Sequence, residues 1–383
     1  MSSAPSAGPG AEPRCSPLAL ARREILDLTP YDHAAWDPAL ERLHANELPW
    51  GSSLDRTAAG LNRYPEPQPR ALVAALASLY AVSPAQVLVA RGSDEAIDLL
   101  TRAFCRAGLD SVVVCPPTFG MYAVAARIQG AEVVRLPLDA ARGFVLDERG
   151  VLEQTEAQRS GGASSGRVKL VYVCSPNNPT GNLIDEAVLL RLAAALAGRA
   201  LLVVDEAYVE FCGAPSLARH VASHSHLVVI RTLSKAHGLA GARCGALIAA
   251  PEIVALLRKI IPPYALTQST IERVLTALEP AELEAARERV ALIRAERERM
   301  LAGLTACPGV LRVHPSAANY LLTEFEDAQA AFAAARTAGL LVRDVRAQPG
   351  LGRHLRITIG TPEQNSRLLT ALQRLPRGAS GAP

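Results

Sequence analysis

Lys235 is the residue of this chain whose neighbours most suggest covalent chemistry. It lies in the run Arg231–Gly245, thirty residues after Asp205. A lysine amine forms an imine with a carbonyl compound once burial or a nearby cation has helped it to lose its proton. An ordinary surface lysine is the alternative. The chain has only two other lysines, Lys169 and Lys259, and neither has comparable neighbours. Lys235 is therefore the candidate nucleophile.

Polar and aromatic residues that could hold a ring-shaped cofactor accompany this lysine. Asp205 ends an apolar run, where its carboxylate could keep a pyridine nitrogen protonated or simply cap the next helix. Tyr208 and Asn178, the latter in a proline-rich turn, could donate hydrogen bonds to a phenolic oxygen on such a ring. Phe119 follows another apolar run and could stack on the ring face or belong to the core. Each signal is weak alone, and together they would suit a cofactor with a pyridine ring.

An anion site accompanies this set of residues. Ser93 and Asp94 follow the apolar run Val87–Ala90 and open a helical pattern. Backbone N–H groups at a helix start, with a serine hydroxyl, attract anions, although serine also serves there as an ordinary helix cap. Ser234 and Arg243 flank the lysine and could give a hydroxyl and a guanidinium fork to the same anion. These residues could together hold a phosphate group of the cofactor.

Composition argues against several classes of protein. With 383 residues, of which 49% are hydrophobic and 20% charged, the chain suits a globular protein of two lobes around a cleft. The net charge of +3, without a long basic run, argues against a nucleic-acid partner. Seven scattered cysteines without a CxxC pair favour reduced thiols in a cytoplasm over disulfides or a metal site. We find neither a signal peptide nor an apolar stretch of about 18 residues, so we expect no membrane association.

The elements that must position these residues follow an α/β pattern. Continuous apolar runs predict buried strands at 87–90, 111–115, 168–174, 200–205, 226–231 and 244–249. Helical patterns lie between them at 93–108, 118–129, 184–198 and 235–243. This order predicts a mostly parallel sheet of the seven-stranded type, sandwiched by helices, with the ligand beyond the carboxyl ends of its strands. Asp205 and Asn178 fall at that edge.

A smaller α+β lobe is predicted from the second half of the chain. Its pattern comprises helices at 281–303, 326–337 and 362–374 and strands at 319–323, 340–344 and 355–359. We therefore expect a large cofactor-binding domain at 47–265 and a small domain at 266–376. An N-terminal arm at 15–46 is expected to join the small domain. Disordered or flexible tails are expected at 1–14 and 377–383, and a flexible surface loop at 160–166.

The sequence resembles the histidinol-phosphate aminotransferases, which use pyridoxal 5′-phosphate and share the fold type I of aspartate aminotransferase. The resemblance runs from about Leu28 to Leu372, and the pairing of Leu61–Glu66 with Pro116–Tyr122 is its most specific part. Further matches are Leu28–Tyr31, Ala45–Glu47, Asp205–Phe211, Val342–Asp344 and Leu355–Thr361. The resemblance implies a homodimer that transfers the amino group of L-histidinol phosphate to 2-oxoglutarate.

The resemblance also implies a role for each candidate residue. Lys235 would bind the cofactor covalently and carry the proton, Asp205 would hold the pyridine nitrogen, and Asn178 and Tyr208 the phenolic oxygen. The cofactor phosphate would be held by Ser93, Asp94, Ser234 and Arg243, and by Tyr64 of the neighbouring subunit. The substrates, histidinol phosphate and 2-oxoglutarate or glutamate, would be bound by Tyr31, Asn46, Arg343 and Arg356.

Two departures from the family's sequence pattern and three alternative functions remain open. Phe119 stands where these enzymes often have tyrosine, and His44–Pro49 departs from their usual Asn-Ala-Asn-Glu-Asn-Pro, which limits substrate claims there to Asn46. A phosphothreonine decarboxylase would use the same cofactor residues, with Arg343 and Arg356 on the substrate phosphate. A broad aromatic aminotransferase is a second alternative. A ligand-sensing regulator is a third, although the N-terminus is too short and not basic enough for a DNA-binding domain.

Overall fold

The computed structural model describes residues 16–34, 37, 39–157 and 166–375. The predicted tails, Cys15 and nearly all of the 160–166 loop lie outside the described residues. The strands are β1 (Val87–Ala90), β2 (Ser111–Val114), β3 (Glu132–Arg135), β4 (Val168–Cys174), β5 (Leu201–Asp205), β6 (Leu227–Thr232), β7 (Gly245–Ile248), β8 (Val310–Val313), β9 (Tyr320–Phe325), β10 (Arg343–Asp344) and β11 (His354–Thr358). The α-helices are α1 (Arg23–Leu26), α2 (Arg70–Tyr80), α3 (Ser93–Phe104), α4 (Met121–Gln129), α5 (Glu148–Ala157), α6 (Glu186–Ala195), α7 (Pro251–Arg258), α8 (Gln268–Ala277), α9 (Pro280–Thr305), α10 (Ala328–Thr337) and α11 (Pro362–Leu372).

A seven-stranded sheet in the order β1-β7-β6-β5-β4-β2-β3 forms the centre of the large lobe. Only β7 runs against its neighbours, so the sheet is mostly parallel, as predicted. Alternate residues of β4 enter two different cores: Val171 and Val173 pack on one face, and Leu170, Tyr172 and Cys174 on the other. Because helices cover both faces, β1, β2 and β4 to β7 are buried along their whole length and are mostly apolar.

The connection after β6 differs from the prediction. We expected a helix over 235–243, but the chain there makes turns and a single 3₁₀ turn at Ala240–Ala242. The prediction was wrong because Gly238 and Arg243 adopt positive φ angles of 69° and 53°, which an α-helix cannot contain. The irregular path leaves Lys235 in a loop at the sheet edge.

The small lobe is built on a four-stranded sheet in the order β10-β11-β9-β8, with α9, α10 and α11 packed around a separate core. All three predicted helices form. The strand expected over 340–344 shortens to Arg343–Asp344, because Leu340 donates its N–H to Ala335 and thereby closes the end of α10.

The segment from residue 16 to residue 27 packs on the large lobe in this chain. Two of the three lysines hold it, since Lys169 donates to the carbonyl of Leu20 at 2.9 Å and Lys259 to that of Leu26 at 2.7 Å. The domain boundaries and the role of the arm stay predictions. Across residues 16–34, 37, 39–157 and 166–375, no helix is both long and apolar enough to cross a lipid bilayer.

Candidate active site

A cleft at the carboxyl edge of the large sheet collects most of the predicted residues. Loops after five strands of the large sheet contribute to it, and the start of the reversed strand β7 lies at the same edge. Its lining includes nine residues that we predicted from the sequence: Ser93, Asp94, Phe119, Asn178, Asp205, Tyr208, Ser234, Lys235 and Arg243. Cys174, Ala207, Thr232 and Ala240 complete it. The parallel topology therefore brings together residues that are up to 150 positions apart in the chain.

Lys235 lies three residues beyond the end of β6, and its side chain is exposed to solvent in this cleft. Partial burial among the surrounding groups lowers the pKa of its ammonium, and the positive charge of Arg356 acts in the same direction. Its Nζ lies 5.6 Å from the centre of the Tyr208 ring. A lysine with a lowered pKa has more free amine at neutral pH, which is the form that attacks a carbonyl carbon.

Asp205 is the buried acid of the site. It ends β5 with only 3% of its surface exposed, and burial raises the pKa of its carboxyl to about 6. Two donors hold it: the hydroxyl of Tyr122 reaches Oδ2 at 2.8 Å, and the backbone N–H of Ala207 reaches Oδ1 at 3.1 Å. We assigned no role to Tyr122 from the sequence. The signal was its position in the first turn of α4, three residues beyond Phe119, but nothing in the sequence showed that its hydroxyl reaches the end of β5.

The predicted anion site forms at the start of α3. Gly92, not Ser93, is the cap residue, with a φ of 82°, so no side chain occupies the first backbone N–H groups of the helix. Arg243 comes from across the cleft and donates to Asp94 at 3.1 Å. The positive φ of Gly92 favours glycine, and a Cβ there would lie 2.8 Å from Nη2 of Arg243, which would have to move. The hydroxyl of Ser234 accepts a hydrogen bond from Thr232 at 2.9 Å, and Ser234 lines the cleft together with Asp94 and Arg243.

Arg356 reaches the cleft from the small lobe. Its guanidinium donates to the side-chain oxygen of Asn178 and lies over the Tyr320 ring, 5.1 Å from its centre. Its Nε is buried and has no hydrogen-bond partner among the described residues. Arg343 is its register partner on the neighbouring strand β10. Directly opposed like charges repel each other, so an anion between the two arginines would be stabilised.

Besides Arg343 and Arg356, which are not part of the lining of the Lys235 cleft, three further predicted residues lie away from it within their own chain. Tyr31, Asn46 and Tyr64 instead line a second cavity, together with Tyr264. The rings of Tyr64 and Tyr264 stack at 4.5 Å, and Tyr31 is 72% exposed.

The fold and the site of this chain are together those of the aminotransferases that use pyridoxal 5′-phosphate. The model of the family aminotransferase class I and II matches residues 44–372, and the chain belongs to this family. The histidinol-phosphate aminotransferase of Stenotrophomonas maltophilia is 52% identical over 331 residues, which cover 86% of this chain and 88% of that protein.

Two solved structures have the same fold as this chain. The histidinol-phosphate aminotransferase of Sinorhizobium meliloti in complex with pyridoxal 5′-phosphate matches with a TM-score of 0.71 and 25% identity, over 81% of this chain and 82% of that one. The L-threonine-O-3-phosphate decarboxylase of Porphyromonas gingivalis shares the fold with a TM-score of 0.65 and 23% identity, over 82% of this chain and 90% of that one.

The residues present fit pyridoxal 5′-phosphate, the cofactor of this family. The cleft holds an accessible amine on Lys235, a buried acid on Asp205 and, beside Arg243, the start of α3, whose cap residue makes no side-chain hydrogen bond. These are the groups that an aldehyde, a pyridine nitrogen and a phosphate require.

Proposed function

We propose that this chain transfers the amino group of L-histidinol phosphate to 2-oxoglutarate, a step of histidine biosynthesis that yields imidazole-acetol phosphate and glutamate. The observation that carries the proposal is Arg356, whose guanidinium contacts Asn178 of the Lys235 cleft and has a buried Nε without a partner among the described residues. A guanidinium binds a phosphate and a carboxylate with the same fork of donors. Arg356 is therefore suited to both substrates in turn, and the 52% identity to a histidinol-phosphate aminotransferase supports the choice of amino donor.

Each residue of the cleft has a defined task in this reaction. When bound, pyridoxal 5′-phosphate supplies an aldehyde and an electron-withdrawing ring. Asp205 would hold the ring nitrogen in its protonated form, and Lys235 would take the proton from Cα of the amino substrate and pass it to C4′ of the cofactor. Phe119 covers one face of the ring.

The remaining contacts anchor the cofactor at its two ends. Asn178 and Tyr208 hold its phenolic oxygen. Ser93 and Asp94 at the start of α3 hold its phosphate, together with Ser234 and Arg243.

The active form is proposed to be a homodimer in which Tyr64 reaches the cofactor phosphate of the neighbouring site. Within its own chain Tyr64 lines a separate cavity, where Tyr31 and Asn46 also lie. The segment around these residues exposes large apolar side chains that a second copy would cover, namely Leu40, Leu43, Leu48, Trp50, Leu54 and Leu61. Tyr31, Asn46 and Arg343 would contact the substrate in the completed site.

A cytoplasmic location is part of the proposal. Histidinol phosphate carries a charged phosphate ester, and 2-oxoglutarate is a dianion, so neither crosses a membrane unaided. Fractionation of the source cells with an antibody against the chain tests this point, and recovery in the membrane or exported fraction would contradict it.

The closest alternative is decarboxylation of a phosphorylated amino acid. The decarboxylase of Porphyromonas gingivalis has the same fold as this chain. Its sequence identity of 23% is lower than that of the near relatives, which is a difference of degree and not of fold. A broad aromatic aminotransferase is the second alternative.

A substrate comparison tests the proposal directly. Purified protein with pyridoxal 5′-phosphate is given L-histidinol phosphate and 2-oxoglutarate, and glutamate is quantified. Phenylalanine and tyrosine in place of histidinol phosphate, and carbon dioxide release from O-phosphothreonine, measure the alternatives. The proposal requires the highest kcat/KM with histidinol phosphate, and either of the other outcomes would replace it.

A further inference from the structure

We propose that Tyr122 is a positioning residue for the cofactor, acting through Asp205, whose orientation and charge it fixes with its hydroxyl. The inference deepens the proposed function, because it concerns the acid that holds the ring nitrogen. It does not depend on which amino donor the enzyme uses.

The hydrogen bonds of Asp205 leave its carboxylate a single orientation. Tyr122 donates to Oδ2 at 2.8 Å and the Ala207 backbone donates to Oδ1 at 3.1 Å. Because each carboxylate oxygen accepts from one protein donor, the lone pairs that remain on the two oxygens point in fixed directions. Removal of the tyrosine hydroxyl would leave one oxygen without a protein donor in a buried place.

Tyr122 is itself held rigidly. Its fully buried ring stacks on that of Tyr172, with centroids 4.8 Å apart and planes inclined by 4°. The hydroxyl of Tyr172 lies 3.2 Å from the carbonyl of Ile97 and 3.1 Å from the hydroxyl of Thr101, both on α3. The helix whose start forms the anion site is therefore linked through two stacked rings to the acid of the site.

The same ring also supports Phe119. The two rings meet edge to face, with centroids 5.6 Å apart and planes inclined by 82°. Tyr122 thus contacts both the acid proposed to hold the ring nitrogen and the side chain proposed to cover the ring face. One side chain sets the relative position of two cofactor contacts.

The hydroxyl also acts on the charge of Asp205. Burial raises the pKa of this carboxyl to about 6, and the hydrogen bond from Tyr122 opposes that rise because it stabilises the ionised form. The other ionisable groups around Asp205 are Asp94, Lys235, Cys174, Tyr208 and Tyr320. Loss of the Tyr122 hydroxyl would leave these groups in place and raise the pKa of Asp205 further. A neutral acid no longer attracts a protonated ring nitrogen.

The matched variants are Tyr122→Phe and Tyr172→Phe. Each removes one hydroxyl from a fully buried tyrosine of the same stacked pair, but only the first touches Asp205. The cofactor-free protein is titrated with pyridoxal 5′-phosphate by fluorescence from pH 5 to pH 9, and the pH at which affinity begins to fall is recorded. We expect that pH to rise by about one unit in Tyr122→Phe, the size of shift that one lost hydrogen bond to a charged group gives, and to stay unchanged in Tyr172→Phe.

A double-mutant cycle with Asp205→Asn completes the test. If Tyr122 acts through Asp205, Tyr122→Phe changes cofactor affinity in the wild-type background and has no further effect in the Asn background. Equal effects in both backgrounds, or the same pH shift in both Phe variants, would make Tyr122 a purely structural residue and overturn the inference. Because the readout is cofactor affinity, a failure to convert histidinol phosphate would leave this result unaffected.

Discussion

The guanidinium of Arg356, on strand β11 of the small lobe, donates to the side-chain oxygen of Asn178, in the loop after β4 of the large lobe. The two residues are 178 positions apart and come from different sheets. Close by, the hydroxyl of Tyr320 on β9 donates to the backbone carbonyl of Asn177 at 2.8 Å. The proposed substrate-binding arginine is thus joined to the proposed cofactor-binding asparagine, so the position of the small lobe bears directly on the cofactor site.

The first prediction concerns Arg356. Its replacement by alanine removes the donors that we propose for the substrate phosphate and for the carboxylate of 2-oxoglutarate. We therefore expect KM to rise for both substrates by about ten- to a hundredfold, the loss typical of a charged hydrogen bond. Arg353→Ala is the control, because Arg353 is an exposed neighbour that donates to the backbone of Glu326 instead. Steady-state kinetics with each substrate varied decide the matter, and unchanged KM values for both would remove Arg356 from the site.

The second prediction concerns the three lysines. Borohydride reduction of the holoenzyme should fix the cofactor on Lys235 alone, because Lys169 and Lys259 donate to backbone carbonyls far from the cleft. Peptide mapping by mass spectrometry locates the label. Lys235→Ala should lose the label and on the order of 10³-fold or more in kcat, since in the proposed mechanism this one residue serves as both nucleophile and proton carrier. Lys259→Arg, which keeps a donor for Leu26, should retain both. A label on Lys169 or Lys259 would refute the assignment.

The third prediction is a pH dependence set by Asp205. In the cofactor-free protein the pKa of this carboxyl is raised from 3.8 to about 6, so its proton is bound more tightly in the folded state than in the unfolded one. Binding of the protonated ring nitrogen needs the ionised carboxylate. Affinity for pyridoxal 5′-phosphate should therefore be steady above about pH 7 and fall by up to about tenfold per unit below the pKa.

Asp205→Asn supplies the control for this titration, because an amide cannot ionise in this range. Its affinity should be weak at every pH and lack the acid-side decrease. The sign for stability is opposite: this carboxyl stabilises the cofactor-free fold most below pH 3.8, and that contribution is lost as the pH rises through about 6. An acid-side decrease in the Asn variant would assign the titration to another group.

The fourth prediction concerns Tyr64 and the second subunit. Lys235→Ala and Tyr64→Ala are each expected to be impaired as homodimers. If Tyr64 acts across the interface, subunit exchange between them produces hybrids with one intact site, containing Lys235 from one chain and Tyr64 from the other. The mixture should regain about a quarter of the wild-type activity after random exchange. No gain after confirmed exchange would place Tyr64 in its own chain's site.

Much of the large lobe could be predicted because its strands are buried on both faces. Continuous apolar runs gave β4 with its observed bounds, Val168–Cys174, and β5 to within one residue. Strand β3 was missed, since its sequence Glu-Val-Val-Arg lies at the edge of the sheet and is partly exposed. The helix expected over 235–243 was wrong because apolar and small residues there fit a helical period, whereas the positive φ of Gly238 and Arg243 depends on tertiary packing.

The site residues, like the elements of the fold, fall into those that the sequence could place and those that it could not. Residues at strand ends, such as Asp205, Asn178 and Lys235, could be placed from the sequence because parallel strands deliver their carboxyl ends to one edge. The contact between Tyr122 and Asp205 joins residues 83 positions apart and depends on how α4 packs, which periodicity does not reveal. Tyr31, Asn46 and Tyr64 lie in irregular chain, so no repeating pattern indicates which cleft they serve.

The most direct measurement of the central claim is a single half-reaction followed by absorbance. L-histidinol phosphate is added to the holoenzyme without a keto acid, and the visible band of the bound cofactor is recorded. We predict that the band is replaced by that of the aminated cofactor and returns on addition of 2-oxoglutarate, with one equivalent of glutamate formed per site. Retention of the original band with histidinol phosphate, together with carbon dioxide release from O-phosphothreonine, would contradict the proposed function.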